Sequence, residues 1–221
     1  LNDTAPFMGK DAAGPEPDLA FLGFFSESKM AMDKWTALLA LRPTSGVLGT
    51  DAHQNVLNIK MRDDERMDSY RRMFRWFSNH ARVKTVTFDA VKEAIKLGRG
   101  DMVFEVIGTP DGFDFFATAG NTKVEMGGTA KLTGSPQLRV TAPTVYGLSS
   151  AAKAPVLELR LIHVDAAGKS TVVIKGSGSL VANAAAAGAY RVEVRITPHH
   201  LRPHLGKTPD KFIKQMVWIY S

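Results

Sequence analysis

Gly46-Val47-Leu48-Gly49-Thr50-Asp51-Ala52-His53-Gln54-Asn55 decides how the rest of the chain is read. A short apolar run bounded by glycine reads as a buried strand. The run ends in Asp-x-His. In an extended backbone, side chains two apart point the same way. Asp51 and His53 are therefore expected to face one cavity from the C-terminal edge of a strand. A carboxylate and an imidazole converging there make a pair of candidate metal ligands. Taken on spacing alone, the same pattern is more often a turn with a hydrogen-bonded histidine.

Upstream, Ser26 or Ser28 can cap a helix running to about Leu41. Met32, Trp35, Leu38 and Leu39 form its apolar stripe, and Arg42-Pro43 ends it. Residues 1–26 read as loop, broken at Gly14-Pro15-Glu16-Pro17, with an apolar segment from Leu19 to Phe25. Helix, tight turn, buried strand and functional loop is the repeat of an α/β barrel or open sheet.

Downstream, Gln54 to Glu65 is a charged loop. Met67 to about Arg82 reads as a long helix on the recurrence of Met67, Tyr70, Phe74, Phe77 and Ala81. A further helix opens near Thr87 or Asp89 and stops at Gly98. Arg62, Arg66, Arg71 and Arg72 come soon after the Asp-x-His, and guanidinium forks suit phosphate oxygens. The commoner role for each of the four is that of a surface or ion-pair residue.

After Gly100 the period changes from helical to alternating. Strands are expected at Met102–Ile107, Phe113–Ala119, Lys123–Met126, Leu138–Thr141, Val156–Val164, Thr171–Ile174, Ser179–Val181, Tyr190–Ile196 and Phe212–Tyr220. Leu157-Glu158-Leu159-Arg160-Leu161 and Arg191-Val192-Glu193-Val194-Arg195 each carry one apolar and one charged face. Short antiparallel strands with one wet face point to a sandwich.

Gly49-Thr50-Asp51-Ala52-His53 resembles the last metal-binding motif of the PHP (polymerase and histidinol phosphatase) superfamily, a G-[ST]-D-A-H segment. Arg62-Asp63-Asp64-Glu65-Arg66, Asp68-Ser69-Tyr70-Arg71-Arg72 and Trp76-Phe77-Ser78-Asn79-His80 resemble the segment downstream of that motif in one bacterial branch. Val91 to Arg99 resembles the helix that ends the domain. Tyr190 to Val194 and Trp218 to Ser221 resemble stretches near the C-terminus of that branch.

The resemblance implies an α+β chain in two parts. Residues 1–99 would be the C-terminal portion of a PHP-like, distorted TIM-type α/β barrel, and residues 100–221 an Ig-like antiparallel β-sandwich. It implies a phosphoesterase that hydrolyses a phosphorylated small molecule by metal-activated water. Two or three divalent ions (Zn, Mn or Fe) would sit on about nine ligands by family resemblance, Asp51 and His53 among them. No histidine occurs in residues 1–50, so the family's early His-x-His is absent. The missing N-terminal half of the same protein is therefore an expected partner, and enzyme activity is expected only in its presence. The alternative is a β-sandwich ligand- or protein-binding module with a vestigial metal site.

Composition bounds the rest. The chain has 221 residues, no cysteine and a net charge of +6. Disulfides and thiolate zinc sites are excluded. A modest basic surplus fits anionic substrates or a plain basic surface. Aromatic residues do not interleave with a basic groove, so nucleic acid is not expected. No stretch is apolar enough for a membrane span, and the compartment is left open. His199, His200 and His204 look like a ligand cluster, but Pro198 and Pro203 break the helix that would align them. A loop between the last two strands is the simpler reading; the other is a loop that leans over its neighbour and adds a contact.

Overall fold

The computed structural model describes residues 3–55 and 58–221. Leu1 and Asn2, in the expected N-terminal loop, and Val56 and Leu57, in the expected charged loop, lie outside the described residues. Helices α1 to α4 span Ala5–Met8, Lys29–Leu41, Tyr70–Met73 and Phe88–Lys96. The strands are β1 Ser78–Ala81, β2 Gly100–Val103, β3 Pro110–Asp111, β4 Asp114–Ala119, β5 Thr122–Glu125 and β6 Gln137–Thr141. They continue as β7 Thr144–Val145, β8 Val156–Val164, β9 Ser170–Gly176, β10 Leu180–Asn183, β11 Ala189–Thr197 and β12 Met216–Tyr220.

These strands form three open antiparallel sheets. The first has six strands in the order β1-β2-β12-β11-β8-β9 and the second four, β10-β6-β4-β5. Strands β3 and β7 form a two-stranded ribbon. The expected portion of an α/β barrel is therefore overturned: among the described residues every strand pairing is antiparallel and no sheet closes. Strand β1, at residues 78–81, is hydrogen-bonded to β2 across residue 100.

The longest pairing runs β8 against β11, nine residues in register. Its inner face is Val192, Val194, Leu159 and Leu161, all at 0% exposure. Each such side chain contributes about 1.5–3 kcal/mol by leaving water. The β8–β9 hairpin turns at Gly168, whose φ of +76° suits glycine. The Asp165 carboxylate accepts there from the backbone amides of Ala167 and Lys169, both at 2.9 Å.

The other face of the same pair carries Arg191, Glu193 and Arg195. It is not the wet face that alternation suggested, because the N-terminal segment covers it. Glu27 accepts from Arg195 at 3.0 Å, and the Trp35 ring on α2 lies 5.4 Å from the Arg191 guanidinium. Arg191 and Glu193 are consequently buried.

Two further expectations change. The run 67–82 is not one helix. Ser69 caps α3, the helix ends by Phe74, and residues 78–81 pair as β1. Asn79 explains part of this. Its side-chain amide donates to the Leu48 carbonyl at 2.9 Å and accepts from the Leu48 amide at 2.8 Å. That reciprocal pair takes the place of a strand partner for residues 46–50. Among the described residues, 43–55 contain no strand and none is buried, so the expected central strand is absent. Helices α2 and α4 are capped as their sequences indicate, by Ser28 and Thr87.

Candidate functional site

Asp51 and His53 do come together. Asp51 Oδ1 lies 3.1 Å from His53 Nε2. They meet through a turn, since Asp51 has φ +50° and Gln54 φ +38°. The left-handed region is accessible to aspartate and asparagine more readily than to most residues. The pair is open to solvent: the Asp51 side chain is 96% exposed and that of His53 49%. Among the described residues, no third histidine or carboxylate joins them in a metal-holding group.

The four arginines expected near phosphate lie elsewhere and are occupied. Arg62 donates to the carbonyls of Ala12 and Gly14 at 2.7 and 2.8 Å and pairs with Glu16 at 2.9 Å. Arg66 makes a two-point contact with Asp68 at 2.8 and 2.9 Å and reaches Asn58. Arg71 bridges Glu65 and Asp18. Arg72 is entirely buried and donates to Asp63 at 2.7 Å and to Asp18. Their guanidinium groups tie the 60–72 segment to the N-terminal segment.

Asp18, Asp63 and Glu65 offer three carboxylate oxygens within 4.8 Å of one another and could hold a metal ion. In the structure their charge is met by Arg71 and Arg72. Hydrogen bonds from Arg71 hold the Asp18 and Glu65 carboxyls below the usual carboxylate range, Arg72 adding to the effect. This group escapes a motif search because Asp18 lies far in sequence from Asp63 and Glu65.

His80, Arg82 and Asp101 line a hollow of about 240 Å³ beside β1 and β2, and Glu105 pairs with His80. His80 Nε2 is 2.8 Å from Glu105 Oε1, so the imidazole pKa is raised. Burial would raise Glu105, but hydrogen bonds from His80, Ser78 and Thr109 outweigh it and lower its pKa. Asp101 is buried; burial pushes its carboxyl up to about 6, against the pull of Arg82. Perturbed groups lining a cleft are candidates for chemistry. Here each is also bound into an ion pair, His80 with Glu105 and Asp101 with Arg82.

The C-terminal histidines form no cluster of ligands. They sit in a 3-10 turn, His199–His204, between β11 and β12. His200 Nε2 donates to the Ile107 carbonyl at 2.8 Å, which requires the Nε2–H tautomer. Burial lowers its pKa.

Comparison with known proteins finds no matching family model, no matching curated protein and no matching solved structure. Among the described residues, no helix is long and apolar enough to cross a membrane.

Proposed function

We propose that this chain contributes Asp51 and His53 to a divalent-metal phosphoesterase of the PHP type, acting on a phosphorylated small molecule. The observation that carries the reading is one pair of atoms in one motif. Within Gly49-Thr50-Asp51-Ala52-His53, a carboxylate oxygen and an imidazole nitrogen converge to 3.1 Å on an accessible loop. This donor chemistry fits Zn, Mn or Fe.

Two donors do not make a catalytic site, which needs about three protein ligands and an open position. No catalytic step is therefore assigned to this chain alone. The remaining ligands, and the second or third ion, would come with polypeptide outside it, the N-terminal half that the resemblance implies. What the ions would supply there is a hydroxide near neutral pH and a polarised phosphoryl oxygen. The four arginines, being spent on carboxylates and carbonyls, are given no phosphate contact.

Titration calorimetry with Mn²⁺ or Zn²⁺ tests the reading. A weak site is expected, and Asp51→Ala and His53→Ala should each remove it. Hydrolysis of p-nitrophenyl phosphate by the chain alone is not expected. Metal binding untouched by both substitutions, no metal binding at all, or turnover that survives both would overturn it.

A further inference from the structure

Residues 46–50 carry the marks of a strand that has no strand beside it. From 43 to 50 the chain runs without helix, turn or bend. Exposure alternates along it: Val47, Gly49 and Asp51 are exposed, while Gly46, Leu48 and Thr50 are half-buried. A period of two belongs to an extended chain that lies on the body by one face.

One edge of this run is occupied. The Leu48 amide donates to the Asn79 side chain at 2.8 Å, and the Leu48 carbonyl accepts from it at 2.9 Å. The Thr44 carbonyl, at the same parity, accepts from the Trp35 indole at 2.9 Å. In an extended backbone the N–H and C=O of successive residues point to opposite edges. Val47 and Gly49 therefore present theirs on the other edge. Among the described residues neither makes a backbone hydrogen bond. Val47 is 60% exposed, and a Cβ added at Gly49 would meet nothing within 4 Å. An open edge beside an exposed β-branched residue is a template for a further strand.

The run's own sequence says which strand fits. Residues 43–50 carry no charge, in a chain of net charge +6. A second copy can lie antiparallel to the first without opposing like charges. Centring the pair on Leu48 sets Val47 of each copy opposite Gly49 of the other. Residues so paired exchange both of their backbone hydrogen bonds. The valine side chain then stands beside a residue that has none, so the strands approach without a clash.

We propose that this chain forms a weak two-fold dimer by antiparallel pairing of residues 46–50, with Val47 of one copy opposite Gly49 of the other. The pairing uses neither the Asp51 carboxylate nor the His53 imidazole, so it stands whether or not they hold a metal.

Sedimentation equilibrium of the native chain should show dimerisation with a Kd of about 10–100 μM, as a small interface implies. Val47→Pro removes an N–H that has no partner within one copy, and should weaken the dimer at least about tenfold. Disulfide trapping reads the register, because the chain has no cysteine of its own. Oxidation of an equal mixture of Val47→Cys and Gly49→Cys should give chiefly the mixed dimer. Opposed residues have Cα atoms about 5.5 Å apart, within disulfide reach, whereas position 47 lies about 7–8 Å from its own counterpart. A chain still monomeric at about 500 μM, a dimer indifferent to Val47→Pro, or mixed cross-linking no greater than that of either variant alone would each overturn the proposal. Should Val47→Pro not fold by circular dichroism, the two cysteine variants, both at exposed positions, decide.

Discussion

Arg72, with no exposed side-chain surface, donates from Nη2 to Asp63 Oδ2 at 2.7 Å. The guanidinium also meets Asp18 and lies 3.5 Å from Glu65. A residue whose type and position suggest phosphate binding is thus the charged centre of a structural network. Removing it would leave three carboxylates facing one another. Arg72→Ala is expected to cost about 3 kcal/mol, the lower part of the range for breaking a buried pair, since its partners are partly solvated. Arg71→Ala, at a half-exposed site, should cost about 1 kcal/mol or less. Urea unfolding of the two variants, compared by midpoint at constant slope, measures the difference.

The same network sets an acid limit. Asp18 and Glu65 have folded-state pKa values lowered from 3.8 and 4.5, chiefly by Arg71. Groups with depressed values contribute stability above the unfolded value and lose it as pH falls through the folded one. Stability should therefore drop steeply below about pH 4.5, and less steeply in Arg71→Ala. Parallel acid slopes in the two proteins would contradict this.

Much of the strand half was legible because period-two alternation reports burial directly. Val156–Val164 is found at the bounds the sequence indicates, and Tyr190–Ile196 lies within β11. What alternation could not report was a cover. Arg191, Glu193 and Arg195 look solvated until Glu27 and Trp35, more than 150 residues earlier, are placed over them. Residues 67–82 misled for a related reason. Their apolar recurrence suits a helix, yet pairing of Ser78–Ala81 with β2 and the burial of Trp76 prevail over it. At the candidate metal loop, Asp51 and His53 lie 3.1 Å apart through a turn, not from the strand edge that residue spacing suggested.

Asp101 provides a pH test of opposite sign. Its carboxyl pKa is raised from 3.8 to about 6 by burial. For an acid with a raised value, the folded state keeps a proton that the unfolded chain has released. Stability then declines as pH rises from 3.8 to about 6, by up to about 3 kcal/mol. Asp101→Asn keeps an acceptor for Arg82 and removes the titration. The stability difference between variant and parent should grow in the variant's favour across that interval. A constant difference would rule the explanation out.

His80 gives the alkaline counterpart. Its pKa is raised above 6.5, chiefly by the hydrogen bond to Glu105. Stability from a raised histidine is complete below the unfolded value and is lost as pH rises through the folded one. The side chain is 38% exposed, so solvent screening limits the effect to about 1 kcal/mol. Unfolding midpoints from about pH 5 to about pH 9 should show a decline that His80→Gln flattens.

Gly108 has a backbone conformation and a close neighbour that disfavour a side chain. Its φ is +140°, and an added Cβ would stand 2.9 Å from Val145 Cγ1. Its carbonyl accepts from the buried Trp218 indole at 2.7 Å. The neighbouring Ile107 carbonyl takes the His200 proton. Gly108→Ala therefore combines backbone strain with a clash beside two buried hydrogen bonds, and should cost about 2–4 kcal/mol. Trp218→Phe keeps most of the volume and loses one hydrogen bond, leaving the Gly108 carbonyl unsatisfied, for about 1–3 kcal/mol. If the corner is held as described, the double variant should be less destabilised than the sum, because both changes act on one contact. Strict additivity in urea unfolding would show that the glycine conformation and the indole bond are independent.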